Sequence, residues 1–90
     1  AAQTTVSATQ AQVATTTVSY GDLNLASQSG VATLYRRLSR AADRVCGENE
    51  ARSPREHAEF RACRTASLNR AVQQVGHPGV LALHADQRSA

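Results

Sequence analysis

The chain has no lysine, no tryptophan and no methionine, and its aromatics amount to one phenylalanine and two tyrosines. With ninety residues and so few large side chains, a core must be assembled from Leu, Val and Ala. A chain this short buries too little apolar surface to be comfortably stable, and small exported domains often compensate with a disulfide. No apolar run approaches the ~20 residues that span a bilayer, so no transmembrane segment is expected and the mature chain should be soluble. A glycine-rich phosphate loop is missing. His57, His77 and His84 stand apart, without a Ser or Asp at a telling interval. Both absences argue against an enzyme, and no catalytic residue or cofactor is expected. Without lysine, every basic side chain is Arg. Nine of the ten arginines fall between Arg36 and Arg70, interspersed with Asp43, Glu48, Glu50, Glu56 and Glu59, for a net charge of +3. A nucleic-acid binder would carry a denser basic patch with aromatics for stacking, so no nucleic acid is expected as a partner.

What is present begins with the stretch from Gly30 to Gly47. Its apolar residues, Val31, Leu34, Tyr35, Leu38, Ala41, Ala42, Val45 and Cys46, recur at steps of three and four, the period of one helix face. The opposite face carries Arg36, Arg37, Arg40, Asp43 and Arg44. The spacing predicts a helix over 28–46, with Ser27 as N-cap and Gly47 as the left-handed residue past its end. A second helix is predicted over 54–75. Ser53-Pro54-Arg55-Glu56 sets a hydroxyl at the N-cap, Pro at N1 and a carboxylate at N3 able to reach back to the N-cap amide. Its apolar line is Phe60, Cys63, Leu68, Ala71 and Val75, with Ser67 and Val72 at the edges. Gly76 closes it, and Pro78 prevents its continuation.

Three segments remain. Residues 1–12 are small and polar without periodicity and are expected to form a flexible tail. Over 13–20 the β-branched content rises, predicting a strand with Ala14, Thr16, Val18 and Tyr20 on one face. That strand lacks an evident partner. It can lie extended across the helices, pair with residues 80–84, or pair with the same strand of a second chain as a homodimer. A short third helix is predicted over 78–85, with Val80, Leu81, Leu83 and His84 on its apolar side, and 87–90 as a tail. The expected fold is thus mainly α, within one domain over 13–86: a two-helix disulfide-linked hairpin, a short third helix and an extended N-terminal segment.

Cys46 and Cys63 are the only cysteines, and a structural zinc wants about four ligands at tighter spacings, so a disulfide is expected. It closes a loop of eighteen residues, counted from 46 to 63, worth about 3 kcal/mol by chain entropy. Cys46 ends the first helix, whereas Cys63 lies roughly 13 Å along the second. Either the connection doubles back or the helices cross steeply, so that the end of one abuts the middle of the other. The disulfide, together with an N-terminal Ala1-Ala2-Gln3-Thr4 resembling the product of signal-peptide cleavage, points to a periplasmic or secreted address. A trimmed chain is the alternative.

Several of these segments together resemble the UrcA family: Val18-Ser19-Tyr20-Gly21-Asp22-Leu23-Asn24-Leu25, Gly30-Val31, Leu34-Tyr35-Arg36-Arg37, Ala41-Ala42, Val45-Cys46-Gly47, Arg61-Ala62-Cys63 and Ala82-Leu83-His84. These are short exported proteins of Gram-negative bacteria with a signal peptide and a cysteine pair, labelled for a uranium response. The resemblance spans nearly all of residues 18–84. This chain departs from the usual pattern at Gly21, where Ala is common, at Asn24, where an acid is common, and at His77, where Asn often precedes the proline. The resemblance implies an export route and a stress or metal context, without a biochemical activity to carry over.

Two surfaces are candidates for function. The arginine face of the first helix, Arg36, Arg37, Arg40 and Arg44, could engage acidic partners or lipid headgroups. A solvated face is the plainer reading. Glu48 and Glu50, with Asp43 or Glu56 nearby, offer oxygen ligands for a hard cation or oxo-cation. Against that, Glu56 already has a capping role, and the His57-Ala58-Glu59 pair points in two directions on a helix. The expected function is therefore non-catalytic binding, to an envelope protein or to a second copy, with a metal- or envelope-stress-response factor as the alternative.

Overall fold

The computed structural model describes residues 2–8, 15–47 and 52–89. Two strands, β1 (Gln3–Ser7) and β2 (Thr15–Ser19), precede three helices, α1 (Gln28–Val45), α2 (Pro54–Val75) and α3 (Pro78–Ser89). The architecture is mainly helical, as the periodicity predicts.

The helix ends follow their capping residues. The Ser27 hydroxyl accepts the Gly30 N–H at 3.1 Å, and the Ser53 hydroxyl accepts the Glu56 N–H at 3.1 Å. Glu56 does reach back, but to the Arg52 amide at 3.1 Å, one residue beyond the expected N-cap amide. Gly47 and Gly76 take positive φ of 77° and 66°, the left-handed turn that a Cβ would disfavour. α3 continues to Ser89, beyond the expected end at 85. Its first turn is held by His77, whose imidazole Nδ1 accepts the Gly79 N–H at 3.1 Å. The imidazole thereby supplies the cap that an Asn would offer at this position.

The expectation of a flexible tail over 1–12 is overturned for Gln3–Ser7, which pairs antiparallel with β2. The hydrogen-bonding partner of β2 is thus not residues 80–84 but the polar segment Gln3–Ser7, and the paired strands lie across α1 and α2. Ordering becomes favourable because pairing carries Val6 to complete burial and Thr4 nearly so. The Thr4 hydroxyl then donates to Gln74 Oε1 on α2 at 2.7 Å. In β2 the predicted inward face is present, with Val18 buried and Thr16 and Tyr20 half-buried. Residues 13 and 14 of the predicted strand lie outside the described residues.

The two-stranded sheet lies against α1 and α2, and α3 packs across both. The buried apolar residues among those described are all Val, Leu or Ala: Val6, Val18, Leu34, Leu38, Ala41, Ala42, Leu68, Ala71, Val72 and Val80. On α2 the centre of the buried face is Ser67, Leu68, Ala71 and Val72, so Ser67 and Val72 are core rather than edge. Phe60 is only half-buried. On α3, Leu81 is 39% exposed while Val80 and His84 turn inward, so Leu81 does not belong to the apolar side.

The disulfide joins Cys46 to Cys63 with Cα atoms 5.8 Å apart, bringing the end of α1 against the first half of α2. An Arg64–Asp43 ion pair one residue along binds the same two helices. Ser67 lies one turn on from Cys63, its hydroxyl 3.6 Å from Cys46 Sγ and donating to the Ala8 carbonyl at 3.4 Å. No helix among the described residues is long and apolar enough to cross a membrane.

Candidate functional site

Arginines spaced three and four apart along α1 share a side, and the sheet lies beside that side. Arg37, Arg40 and Arg44, with Ala41 between them, form one wall of a groove of about 360 Å³, and Thr16, Thr17, Val18 and Ser19 of β2 form the other. Arg36 is not part of it. That residue is exposed elsewhere on α1, its guanidinium donating to the Thr33 hydroxyl at 3.3 Å.

The three groove arginines are not equivalent. Arg37 makes a bidentate pair with Asp22, both contacts at 3.0 Å, and its Nη1 also donates to the Ser19 carbonyl at 2.9 Å. Hydrogen bonding from Arg37 holds the Asp22 carboxyl below the usual carboxylate range and raises Arg37 itself. Arg37 therefore acts as a clamp fixing the end of β2 to α1. Arg40 and Arg44 are exposed and make no ion pair among the described residues. Their charge is the part of the face open to a partner.

The acidic candidates separate in the same way. Asp43 is taken up by Arg64, Glu56 by the Arg52 amide, and Glu59 by Arg55 at 3.3 Å. Glu48 and Glu50 lie outside the described residues. Among the described residues no group of three His, Cys, Asp or Glu side chains is placed to hold a metal ion.

Tyr35, on the apolar face of α1, meets the His84 Nδ1 at 2.7 Å, and His84 Nε2 bonds Asn69 Oδ1. A carbonyl oxygen only accepts, so Nε2 donates to Asn69 and Nδ1 is left to pair with the phenol. The triplet ties α1, α2 and α3 together. Burial pushes the Tyr35 phenol above its ordinary value. A shallow cavity of about 430 Å³ opens beside Tyr35 and His84. A larger one of about 670 Å³ lies between the start of α1 and α3, lined by Leu25, Val31, Leu83 and Asp86 among others.

Reading the chain alone missed Arg70 and Asn69. Arg70 Nη2 donates to the Ser7 carbonyl at 2.8 Å, fixing β1 to α2 as Arg37 fixes β2 to α1. No local pattern marks either residue, because each finds its partner across the fold. Comparison with protein-family models, with characterised proteins and with solved structures finds no match to this chain.

Proposed function

We propose that this chain is an exported, disulfide-stapled binding protein that acts by contact rather than by catalysis, and that its contact surface is the α1–β2 groove, presented to an acidic partner. The observation that carries this reading is the division of labour among the arginines: Arg37 is spent on holding β2, while Arg40 and Arg44 stand exposed on the same wall without a carboxylate partner among the described residues. Structural ion pairs in this domain are closed, so two open guanidiniums along one groove are best used on something outside it. The Cys46–Cys63 bridge supports the export reading, since such bonds persist in oxidising compartments. The likeness to UrcA proteins agrees with that address.

The test is binding to fluorescently labelled polyaspartate, followed by anisotropy through a salt series. The expected result is saturable binding that weakens with added salt. In the Arg40→Ala/Arg44→Ala double variant it should weaken roughly tenfold, the loss of two exposed charge contacts. Equal affinity of wild type and variant would overturn the assignment of the surface.

A further inference from the structure

Resting on the binding role of this groove, we propose that its partner is an acidic peptide segment in extended conformation that adds as a third strand along the outer edge of β2.

The edge can be located from the register. β1 and β2 pair antiparallel with Thr4 opposite Val18 and Val6 opposite Thr16, and beyond the strand the Tyr20 N–H donates to the Ala2 carbonyl at 2.8 Å. In an antiparallel pair, mutually bonded residues alternate with residues whose N–H and C=O point away from the partner. Counting from the Tyr20–Ala2 bond, the residues of β2 bonded to β1 are Thr16 and Val18. Thr15, Thr17 and Ser19 aim their backbone groups outward. The arginine contacts agree with this count: the Ser19 carbonyl accepts from Arg37, and the Ser7 carbonyl, outward on β1, accepts from Arg70. Among the described residues no hydrogen bond reaches the outward N–H groups of Thr15, Thr17 and Ser19 or the carbonyls of Thr15 and Thr17.

An open row of this kind is a template for a further strand, supplying affinity through the ladder and specificity through what flanks it. Here the flank is cationic. Arg40 and Arg44 stand on the wall of the groove facing Thr16–Ser19, one helical turn apart. A strand laid along the edge would carry its side chains past them, so acidic residues on one of its faces are favoured. The same arginines disfavour a second copy in this place. Edge-to-edge pairing of two β2 strands would bring two arginine walls together without an added negative charge.

The experiment uses the intact, disulfide-bonded protein and a labelled decapeptide of alternating valine and aspartate, with a matched peptide N-methylated at alternate residues on its ladder-forming edge. The two carry the same charge, but the second cannot donate to β2. Binding of the parent peptide is expected to exceed that of its N-methyl counterpart by at least about tenfold. Amide exchange followed by NMR should show new protection at the N–H groups of Thr15, Thr17 and Ser19. Thr17→Pro removes an outward donor at an edge position that tolerates proline and should weaken the parent peptide, bringing its affinity toward that of the N-methyl counterpart. Equal binding of the two peptides overturns strand addition while leaving the basic groove as the contact surface. A concentration-dependent dimer that protects those same amides without peptide gives the edge to a second copy and overturns the proposal. If neither peptide nor polyaspartate binds, the function proposed for the groove falls with it.

Discussion

Gly30 is the residue at which local preference and tertiary packing disagree most sharply. It sits in the first turn of α1 and is buried, with its N–H on the Ser27 hydroxyl. A Cβ there would lie 1.9 Å from the Asn24 carbonyl oxygen and 2.6 Å from its carbon. That carbonyl cannot retreat freely, because the Ser27 N–H and hydroxyl both bond to it, while Asn24 Oδ1 holds the Ala26 N–H at 3.0 Å. On an open helix, Gly→Ala would be stabilising by about 1 kcal/mol. Here overpacking reverses the sign, and Gly30→Ala is expected to destabilise by about 1–3 kcal/mol in urea unfolding. A variant at least as stable as the parent would show that the Asn24 turn can move aside. The Asn24 side chain serves here only as an acceptor for the Ala26 N–H, a role an acid at this position would fill equally well.

At the scale of elements, each is joined to its neighbours by a polar contact as well as by apolar burial. Arg37 holds β2 to α1, Arg70 and Thr4 hold β1 to α2, and the Tyr35–His84–Asn69 triplet joins the three helices. The triplet includes a phenol, Tyr35, which titrates in the alkaline range and sits in a partly dry environment. The folded protein retains the Tyr35 proton to higher pH than the unfolded chain does, because burial disfavours the phenolate. The resulting stabilisation is fully present below the unfolded value of about 10 and is lost as pH rises through the folded one. In a Tyr20→Phe variant, which leaves Tyr35 as the sole tyrosine, ultraviolet titration should place its midpoint above the ordinary phenol value. A midpoint at that value would mean that the contact between α1 and α3 opens before the phenol ionises. Asp22 has the opposite sign. Its lowered value makes the Arg37 clamp effective above the ordinary carboxylate range and releases it as pH falls through the folded value. The pair is exposed, so solvent screens it and its service is positional.

For the whole molecule, the decisive fact is a core whose apolar residues, among those described, are all Val, Leu or Ala, supplemented by one covalent link. The bridge spans a sequence separation of 17 and is expected to contribute about 3 kcal/mol by restricting the unfolded chain. Domains of this size have a total stability of about 5–15 kcal/mol, so its loss removes a large share. The Cys46→Ala/Cys63→Ala variant should therefore show a much lower urea midpoint, with the same Arg64–Asp43 pair still spanning the helices. An unchanged midpoint would mean that the core suffices by itself.

The caps of α1 and α2, the cysteine pairing and the buried face of α1 were legible in the chain alone. Each rests on a local cause: a hydroxyl before a helix, a glycine after it, a period of three and four, and one available partner for a thiol. Only tertiary structure decided that Gln3–Ser7 is a strand, that Ser67 belongs to the core, and that the arginine face divides into a clamp at Arg37, an open pair at Arg40 and Arg44, and an outlying Arg36. In each of those cases the determining partner is distant along the chain. A polar segment orders or stays loose, and a charge is closed or open, according to what the fold sets against it, which propensity and spacing do not record.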